Sequence, residues 1–479
     1  MTKTKGYDLI LVGTGFASSF FLHKYLARAE KNSKILILER GKKNPHAWQV
    51  QHRKNSPTNP ANTYTTNNNH KRWIHTLGFG GGSNCWWACT PRFLPNDFQL
   101  QSRYGVSYDW PIRYDRLEPY YSEAESIMNI AGPSDHSPCP RSQAYPLPPH
   151  RLSSVDKLLL QHYPDTYFSQ PAARASVPTQ LRPKCCGNGV CHICPINAKF
   201  TIQHDLAHLF NDPRVEIKTE TEVTAVKYQN GAAQGIYFKS PNTDQDEYAS
   251  AEKIAMGANA FFNPFILQKS GIKQNALGAY LNEQEAIYVT VDLQGLDNYD
   301  GGTSITGHGY QFYDGDHRRD FAACLLESWN TVDSLRIEEN KWRQRVVFKA
   351  VFEELPQADN RVTLKSADNE LPYVEYKGPT EYVKKSIAHF KEAFPKWISV
   401  LPVEKITFST NPLNTEAHIQ GSTRMGANPI DSVVDANLQH HQLNNLWVLG
   451  SGAFPSCPPA NPSLTISALS LMAADHIFS

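Results

Sequence analysis

The sequence predicts a chain of mixed α/β and α+β class. A Rossmann-like domain with a parallel sheet is discontinuous in sequence, and a β-rich domain is built on an antiparallel sheet. Three observations predict this. The apolar run at residues 9–12 leads into a glycine turn and a helix start, as a buried parallel strand does. Similar short apolar runs recur much later, near Lys253 and Asn445. Residues 285–370 instead hold alternating runs that favour paired strands.

The first strand, its turn and the following helix form the pattern of a dinucleotide cradle. Gly13 permits the tight turn, and Gly15 allows the backbone to approach a pyrophosphate. Ser18 replaces the third glycine of the G-x-G-x-x-G pattern and is small enough for close helix–strand packing. The free N–H groups of a helix over residues 17–29 would face the phosphate. An ordinary βαβ unit with a glycine turn is the alternative.

A second apolar strand, at residues 35–38, ends at Glu39. A carboxylate at this distance from the glycine turn is expected to bind a ribose hydroxyl. It disfavours a 2′-phosphate, because two negative groups would repel each other.

Length and charge restrict the class of protein. A chain of 479 residues is expected to form two or three domains. The 47 Lys and Arg residues nearly balance the 46 Asp and Glu residues, so nothing indicates binding to nucleic acid or to an anionic membrane. The sequence contains no apolar run long enough to insert directly into a membrane. The first strand begins by Tyr7, so we expect a cytoplasmic protein, with export beside a signal-bearing partner as the alternative.

The other elements follow in order. The polar stretch at residues 44–72 is expected to be a long excursion that partly covers the ligand, and the glycine-dense loop at 77–84 is expected to lie against a flat ligand. The remaining predictions are an amphipathic helix through Ile127, a loop over 132–152, alternating strands over 215–228 before a turn at Asn230 and Gly231, a strand at 253–258, a helix near 264–270, strands at 286–292 and 345–352, a helix over 381–397, a strand at 445–450 and a last helix over 462–477.

Four of the nine cysteines lie within ten positions. A cytosolic chain rarely uses such a group as a disulfide framework, so metal or redox chemistry is expected. The four residues are Cys185, Cys186, Cys191 and Cys194.

The C-terminal quarter carries the most specific motifs. They are Ala-His418-Ile-Gln-Gly-Ser-Thr-Arg-Met-Gly, Ser-Val-Val-Asp435, Asn-Leu-Trp-Val-Leu-Gly450-Ser-Gly452 and Asn461-Pro462-Ser-Leu-Thr465. With the glycine loop, residues 92–98 and residues 110–112, they resemble the glucose–methanol–choline (GMC) oxidoreductases. The branch that holds gluconate and fructose dehydrogenases and pyranose oxidase is the most similar. The resemblance covers most of the chain and is weakest over 281–400, a block that helps to form the substrate site in this family.

The resemblance implies an FAD-dependent oxidation of a sugar, polyol or other secondary alcohol to a carbonyl. Such a reaction needs a base for the hydroxyl proton and an acceptor for the hydride, and flavin N5 suits the second task. His418 would be the base, and Asn461 would orient the developing alkoxide. Any one of 18 histidines could be merely structural, and Asn461 could simply cap the last helix. An oxidase that uses oxygen, a non-redox lyase and a silent flavin-binding subunit are the alternative functions.

The glycine turns and the family motifs together predict the residues that bind FAD. They are Gly13, Gly15, Phe16, Ala17, Glu39, Arg40, Gly80, Gly81, Ser83, Asn84, Cys85, Val223, Gly257, Asp435, Gly450, Gly452, Asn461, Pro462 and Thr465. Cys85 stands where pyranose oxidase carries a histidine bonded to the flavin. It is expected to be either an inert buried thiol, which we favour, or a covalent attachment point.

The cysteine segment, residues 185–194, resembles a segment that holds an iron–sulfur cluster in some members of the branch. A [3Fe-4S] cluster is therefore one prediction, and a zinc site, a disulfide or free thiols are the others. Such a cluster would pass electrons onward, so a small or electron-transfer subunit is an expected partner, beside the alcohol or sugar substrate. Specificity is expected from the 281–400 block and from loops near Trp86, Trp87 and Trp110. The predicted domains are FAD-binding at 1–95, 181–280 and 405–479, and substrate-binding at 96–180 and 281–404.

Overall fold

The computed structural model describes residues 6–133, 137–241, 243, 246–332, 334–366 and 369–478. The strands are β1 (Gly6–Val12), β2 (Ile35–Leu38), β3 (Thr65–Thr66), β4 (Tyr167–Ser169), β5 (Val215–Lys218), β6 (Glu222–Gln229), β7 (Ala232–Lys239), β8 (Glu247–Met256), β9 (Glu285–Leu293), β10 (Ile305–Gly309), β11 (Cys324–Trp329), β12 (Arg345–Phe352), β13 (Arg361–Thr363), β14 (Tyr373–Glu375), β15 (Val403–Phe408) and β16 (Leu446–Val448). The α-helices are α1 (Phe16–Arg28), α2 (His46–His52), α3 (Leu100–Tyr104), α4 (Tyr114–Met128), α5 (Ser154–His162), α6 (Ile202–Asp205), α7 (Asn259–Lys269), α8 (Glu381–Ile398) and α9 (Ser463–His476).

A seven-stranded sheet forms the Rossmann-like layer. Its parallel part has the order β5-β2-β1-β8, with β16 also paired to β8, and β7 and β6 extend it antiparallel. These strands come from the start, the middle and the end of the chain, so the predicted discontinuity is confirmed. The parallel strands β1, β2 and β16 are almost entirely buried, which explains why they read as continuous apolar runs.

A second sheet of six strands is antiparallel throughout, with the order β15-β9-β12-β11-β10-β4. Alternate residues point to opposite faces. One face, which includes Val289, Leu326 and Phe348, packs against α8 in an apolar core. The other face carries polar side chains, among them Glu327 and Lys349, which line the main cavity of the protein. The predicted β-rich antiparallel layer is therefore confirmed.

The helix predicted near residue 264 begins earlier, at Asn259, and contains Pro264. A proline inside a helix lacks the N–H that would bond to the carbonyl four residues before it. That carbonyl belongs to Ala260, and the Ser422 hydroxyl donates to it at 2.6 Å instead. The Asn259 side chain accepts from the N–H groups of the first turn, at Phe261 and Phe262, and so stabilises the early start.

The stretch at 44–72 is not a structureless cover. It contains α2 and the short strand β3, which pairs with β14 in a third, three-stranded sheet.

No helix within the described ranges combines the length and apolar character that crossing a membrane requires.

Candidate active site

A cavity of about 1050 Å³ lies between the two large sheets. Its wall includes the residues that follow the carboxyl ends of β1, β2, β8 and β16, where open α/β sheets bind their ligands. The polar face of the antiparallel sheet forms the opposite wall through Tyr288, Glu327, Trp329 and Lys349. The cavity wall includes Arg40 and Ile74 but none of the residues between them. Residues 44–72 therefore do not cover the cavity as the sequence suggested.

The glycine turn after β1 presents bare backbone to this cavity. A Cβ atom built on Gly15 would meet no protein atom within 4 Å, and Gly15 has an ordinary φ of −74°. Gly13, by contrast, has a φ of +84°, and a Cβ there would lie 2.8 Å from the Gly257 carbonyl oxygen. Gly13 therefore shapes the turn, while Gly15 leaves the open space that a pyrophosphate requires. The open space beside Gly15 therefore fits the pyrophosphate of FAD.

Glu39, at the end of β2, is held firmly beside the turn. Its carboxylate accepts from the Thr14 N–H at 3.0 Å, the Thr14 hydroxyl at 2.6 Å and the Gly41 N–H at 2.7 Å. Burial raises its pKa, and these hydrogen bonds oppose the increase. Oε2 accepts both bonds from Thr14 and Oε1 accepts the one from Gly41, so Oε1 retains a lone pair that can accept from a ribose hydroxyl.

Most of the residues predicted to bind FAD line this cavity. They are Gly13, Gly15, Phe16, Ala17, Glu39, Arg40, Gly81, Cys85, Val223, Gly257, Gly450, Asn461 and Pro462. Six others do not lie on its wall, namely Gly80, Ser83, Asn84, Asp435, Gly452 and Thr465.

The six residues off the wall have local structural contacts instead. The Asp435 side chain accepts from the N–H groups of Asn437 and Gln439 and so forms a turn. The Thr465 hydroxyl bonds to the Tyr121 hydroxyl at 2.8 Å inside the protein. Gly80, Ser83 and Asn84 bond within the glycine loop or to its neighbours, and a Cβ on Gly452 would meet the Thr423 hydroxyl at 2.6 Å. A motif match does not show which way a side chain faces, and FAD binding by these six residues stays a prediction.

His418 lies on the cavity wall. Its backbone N–H donates to Glu283 at 2.9 Å, and its Nδ1 lies 3.0 Å from the Gln284 Oε1. Burial and then the charge of Lys349 lower the pKa of the imidazole to about 4, against opposing effects of Glu283 and Glu327. The imidazole is therefore neutral near pH 7, as a general base must be.

Asn461 lies on the same wall, in the segment that leads into α9. Its Nδ2 donates to the Glu327 carboxylate at 3.2 Å, and its Oδ1 has no protein partner. The alternative role as a helix cap is wrong, because α9 has Pro462 at its N-cap and no side-chain capping bond. A free carbonyl and one remaining amide hydrogen can therefore meet a substrate hydroxyl.

Sequence reasoning missed a row of polar residues on the antiparallel sheet. His308 on β10 pairs directly with Glu327 on β11, Glu327 with Lys349 on β12, and Lys349 with Tyr288 on β9. Directly opposed residues share a face, so the row crosses the sheet on its cavity side. The sequence did hold a signal for this row, namely charged residues inside otherwise apolar strands.

The charges in this row are paired. The Lys349 ammonium lies 3.0 Å from Glu327 and 2.7 Å from Glu416, both of which are buried. Burial alone would lower the pKa of Lys349, but the two carboxylates raise it above its usual value. Burial likewise opposes ionisation of Glu327, yet Lys349 and His308 bring its pKa below the usual range. Lys349 and Glu327 are thus both charged at neutral pH.

Aromatic rings complete this end of the cavity. Trp87 and Trp329 have ring centroids 5.0 Å apart, and Tyr288 meets Trp329 edge-on at 5.6 Å. The predicted contribution of Trp110 is wrong. Its side chain is buried against Phe93, Phe98 and Phe454, and it does not line the cavity.

The cysteine segment borders the same cavity, since Gly189, Val190 and His192 line its wall. Buried Lys199 joins this segment to the glycine loop. Its Nζ, which has three N–H donors, lies 2.7 to 3.2 Å from four carbonyl oxygens, those of Asn84, Trp86, Cys191 and His192. Burial lowers the pKa of Lys199 to about 7.

The four thiols of the segment differ in exposure. Cys191 is buried, Cys185 and Cys194 are half-buried, and Cys186 is exposed. All nine cysteines are free thiols, so the disulfide alternative is not supported. Within the described residues, the group with metal-ligand spacing is Cys89, His308 and Glu327, with ligand atoms within 4.8 Å of one another. The predicted thiols do not form such a group, so the zinc alternative lacks a preformed site.

The cavity also contacts the half-buried thiol of Cys85. Its nearest polar neighbours are the Thr76 hydroxyl at 3.6 Å and the Gly82 carbonyl at 3.7 Å. Since the thiol is on the wall rather than in the core, both an inert contact with the cofactor and a covalent bond to it remain predictions.

Comparison with known proteins gives three kinds of similarity. Residues 356–470 match the family model described as GMC oxidoreductase. The fructose dehydrogenase large subunit of Gluconobacter japonicus is 28% identical over 99% of this chain and 98% of that protein. Pyranose 2-oxidase of Tricholoma matsutake is 26% identical over 56% of this chain and 54% of its own. The solved structure of pyridoxine 4-oxidase from Mesorbium loti superposes with a TM-score of 0.69 at 15% identity, covering 98% of this chain and 99% of that one. These findings confirm the predicted family resemblance and fold class.

Proposed function

We propose that this chain, an FAD-dependent oxidoreductase of the GMC type that acts on CH–OH groups, oxidises a sugar, polyol or other secondary alcohol with His418 as its base. One observation carries the proposal. His418 and Asn461, from separate C-terminal segments, line the same cavity as the Gly15 cradle. FAD bound in this cavity would accept the hydride from the alcohol carbon.

The residues of the chain would divide the work. Gly15 and Glu39 would hold the pyrophosphate and a ribose, while Val223 would meet the adenine through its backbone. His418 would take the hydroxyl proton, and Asn461 would orient the oxygen as its charge develops. The aromatic rings and the Glu327–Lys349 pair suit a polyhydroxylated substrate, because they offer flat apolar faces beside strong acceptors and donors.

The pH dependence of flavin reduction should reflect the neutral imidazole. Because its pKa is lowered to about 4, His418 stays unprotonated at neutral pH and loses its basic form only in acid. The rate should be nearly constant from about pH 6 to 8 and should fall below about pH 5. Stopped-flow anaerobic reduction across this range measures it. A midpoint near 6.5, the ordinary value for histidine, would contradict the lowered pKa, and a rate that does not fall in acid would contradict the assignment of His418 as the base.

We further propose that electrons leave through an iron–sulfur cluster on the cysteine segment to a partner subunit. Two observations support this route. The segment borders the cavity and is bonded through Lys199 to the glycine loop, and the Ala198 N–H donates to the Cys194 sulfur at 3.3 Å. Hydrogen bonds to sulfur are typical of such clusters. One relative that spans 99% of this chain is named as a large subunit, which supports a partner. The cytoplasmic location and the domain boundaries also stand as predictions.

Iron and acid-labile sulfide should therefore be counted on anaerobically purified protein, together with its absorption spectrum. We expect flavin bands and about three irons per chain. Cys191→Ser should lose the iron and keep the flavin. Cys139→Ser is the matched control, because Cys139 is buried elsewhere and its Sγ already donates to the Phe93 carbonyl at 3.6 Å. Flavin without iron would instead favour an oxidase that uses oxygen, with the cysteines as free thiols.

A further inference from the structure

We infer that Gln284 is a positioning residue that holds both proposed catalytic side chains. It orients His418 so that Nε2 is the free basic nitrogen, and it anchors the segment that carries Asn461. The inference rests on the proposed function, since it assigns no role unless His418 is the base.

The orientation of the Gln284 amide follows from its three hydrogen bonds. Its side-chain amide nitrogen, Nε2, donates to the carbonyls of Pro458 at 2.7 Å and Ala460 at 3.1 Å. Both amide hydrogens are thereby used. A reversed amide would place its oxygen against two carbonyl oxygens, so Oε1 must be the atom that faces His418 Nδ1 at 3.0 Å. Gln284 is 1% exposed, so water does not compete for these bonds.

The tautomer of His418 follows from this orientation. An amide oxygen only accepts, so Nδ1 must carry the hydrogen. A neutral imidazole has one N–H, and its lone pair therefore lies on Nε2. The charged groups that act on the ring are Lys349, Glu283 and Glu327, and the neutral form prevails at pH 7. Gln284 thus selects which nitrogen can take the substrate proton.

The same amide fixes the approach to Asn461. The segment from Pro458 to Pro462 contains three prolines, which lack N–H groups, so its carbonyls need donors from elsewhere. Gln284 supplies two such donors, one of them to the carbonyl immediately before Asn461. One side chain, immediately before β9, therefore contacts both the proposed base and the segment that carries the proposed alkoxide-orienting group.

Two substitutions separate these roles. Gln284→Glu keeps an acceptor for Nδ1, but it adds a negative charge and removes both donors. Gln284→Met has similar length and offers neither acceptor nor donor. Gln49→Glu is the matched control, because Gln49 is also buried and its Nε2 also donates to a backbone carbonyl, that of Asn44 at 2.9 Å, away from the main cavity.

The first readout does not need a substrate. Diethyl pyrocarbonate acylates neutral imidazole, and mass spectrometry of the flavin-loaded protein gives the rate at His418 across pH. We expect Gln284→Glu to raise the midpoint of that profile by about 1 to 3 pH units, the usual effect of an adjacent opposite charge. Gln49→Glu should leave it unchanged. A Gln284→Glu midpoint equal to that of the wild type would overturn the inference.

The second readout is anaerobic flavin reduction, with D-fructose as the first probe. Gln284→Met should slow it about 100-fold, as a displacement of about 1 Å in a reacting pair does. If His418→Ala is slow but both Gln284 variants behave as the wild type, this inference fails and the proposed function stands. If His418→Ala reduces flavin normally, the proposed function fails.

Discussion

His418→Ala should bind flavin normally and should slow anaerobic flavin reduction by about 100- to 10,000-fold, the usual contribution of a general base. The structure separates the two properties. The imidazole lies on the cavity wall, and its backbone N–H, which alanine retains, is what bonds to Glu283. Removing the ring therefore removes the proposed proton acceptor without disturbing the Gly15 turn.

The measurement is stopped-flow absorbance of the flavin after mixing with the best substrate from a panel of sugars and polyols. His162→Ala is the control, because His162 is exposed at the end of α5, far in sequence from every cavity residue. A His418→Ala protein that reduces flavin at the wild-type rate would exclude this histidine as the base. A protein that had lost its flavin would point to a structural role.

Local patterns in the sequence predicted the glycine turn, and the structure places that turn on the cavity wall. Gly13 and Gly15 lie in one continuous strand–turn–helix unit, so the local sequence was enough to predict the turn, whereas the close approach of Gly13 to Gly257 is a long-range contact. His418 and Asn461 were identified from motifs, and both reach the cavity wall. Asp435 and Thr465 were identified in the same way, yet their side chains form a turn and a buried hydroxyl pair. Motifs place a segment, whereas the direction of each side chain depends on packing.

The polar row on the antiparallel sheet could not be predicted from local patterns. Glu327 and Lys349 meet because β11 and β12 pair in one particular register, and a shift of one residue between the strands would turn one of the two side chains to the apolar face. Gln284 reaches His418 across a long stretch of sequence. Such contacts depend on strand order, which a single sequence does not specify. The resemblance was also weakest over this block, so no motif could substitute for the missing register.

Gly15→Val should abolish flavin binding while leaving the fold intact. A side chain at this position would occupy the space that the pyrophosphate needs. The protein itself should accept it, because a Cβ there meets nothing within 4 Å and the φ of −74° suits any residue. Gly13 could not serve for this test. Its φ of +84° and the 2.8 Å approach to the Gly257 carbonyl would strain the turn as well.

The purified Gly15→Val protein should show no flavin absorbance and should unfold at the temperature of the wild-type apoprotein. The wild-type holoprotein should unfold at a higher temperature, because a ligand that binds the folded state stabilises it. Gly6→Val, at the exposed start of the same strand, is the control that should keep its flavin, since a Cβ there has only an ordinary contact with Ser250. Stoichiometric flavin in Gly15→Val would mean that the pyrophosphate lies elsewhere in the cavity. Loss of flavin together with a lowered apoprotein melting temperature would indicate a damaged turn, and only the comparison of apoproteins distinguishes that outcome from a blocked cradle.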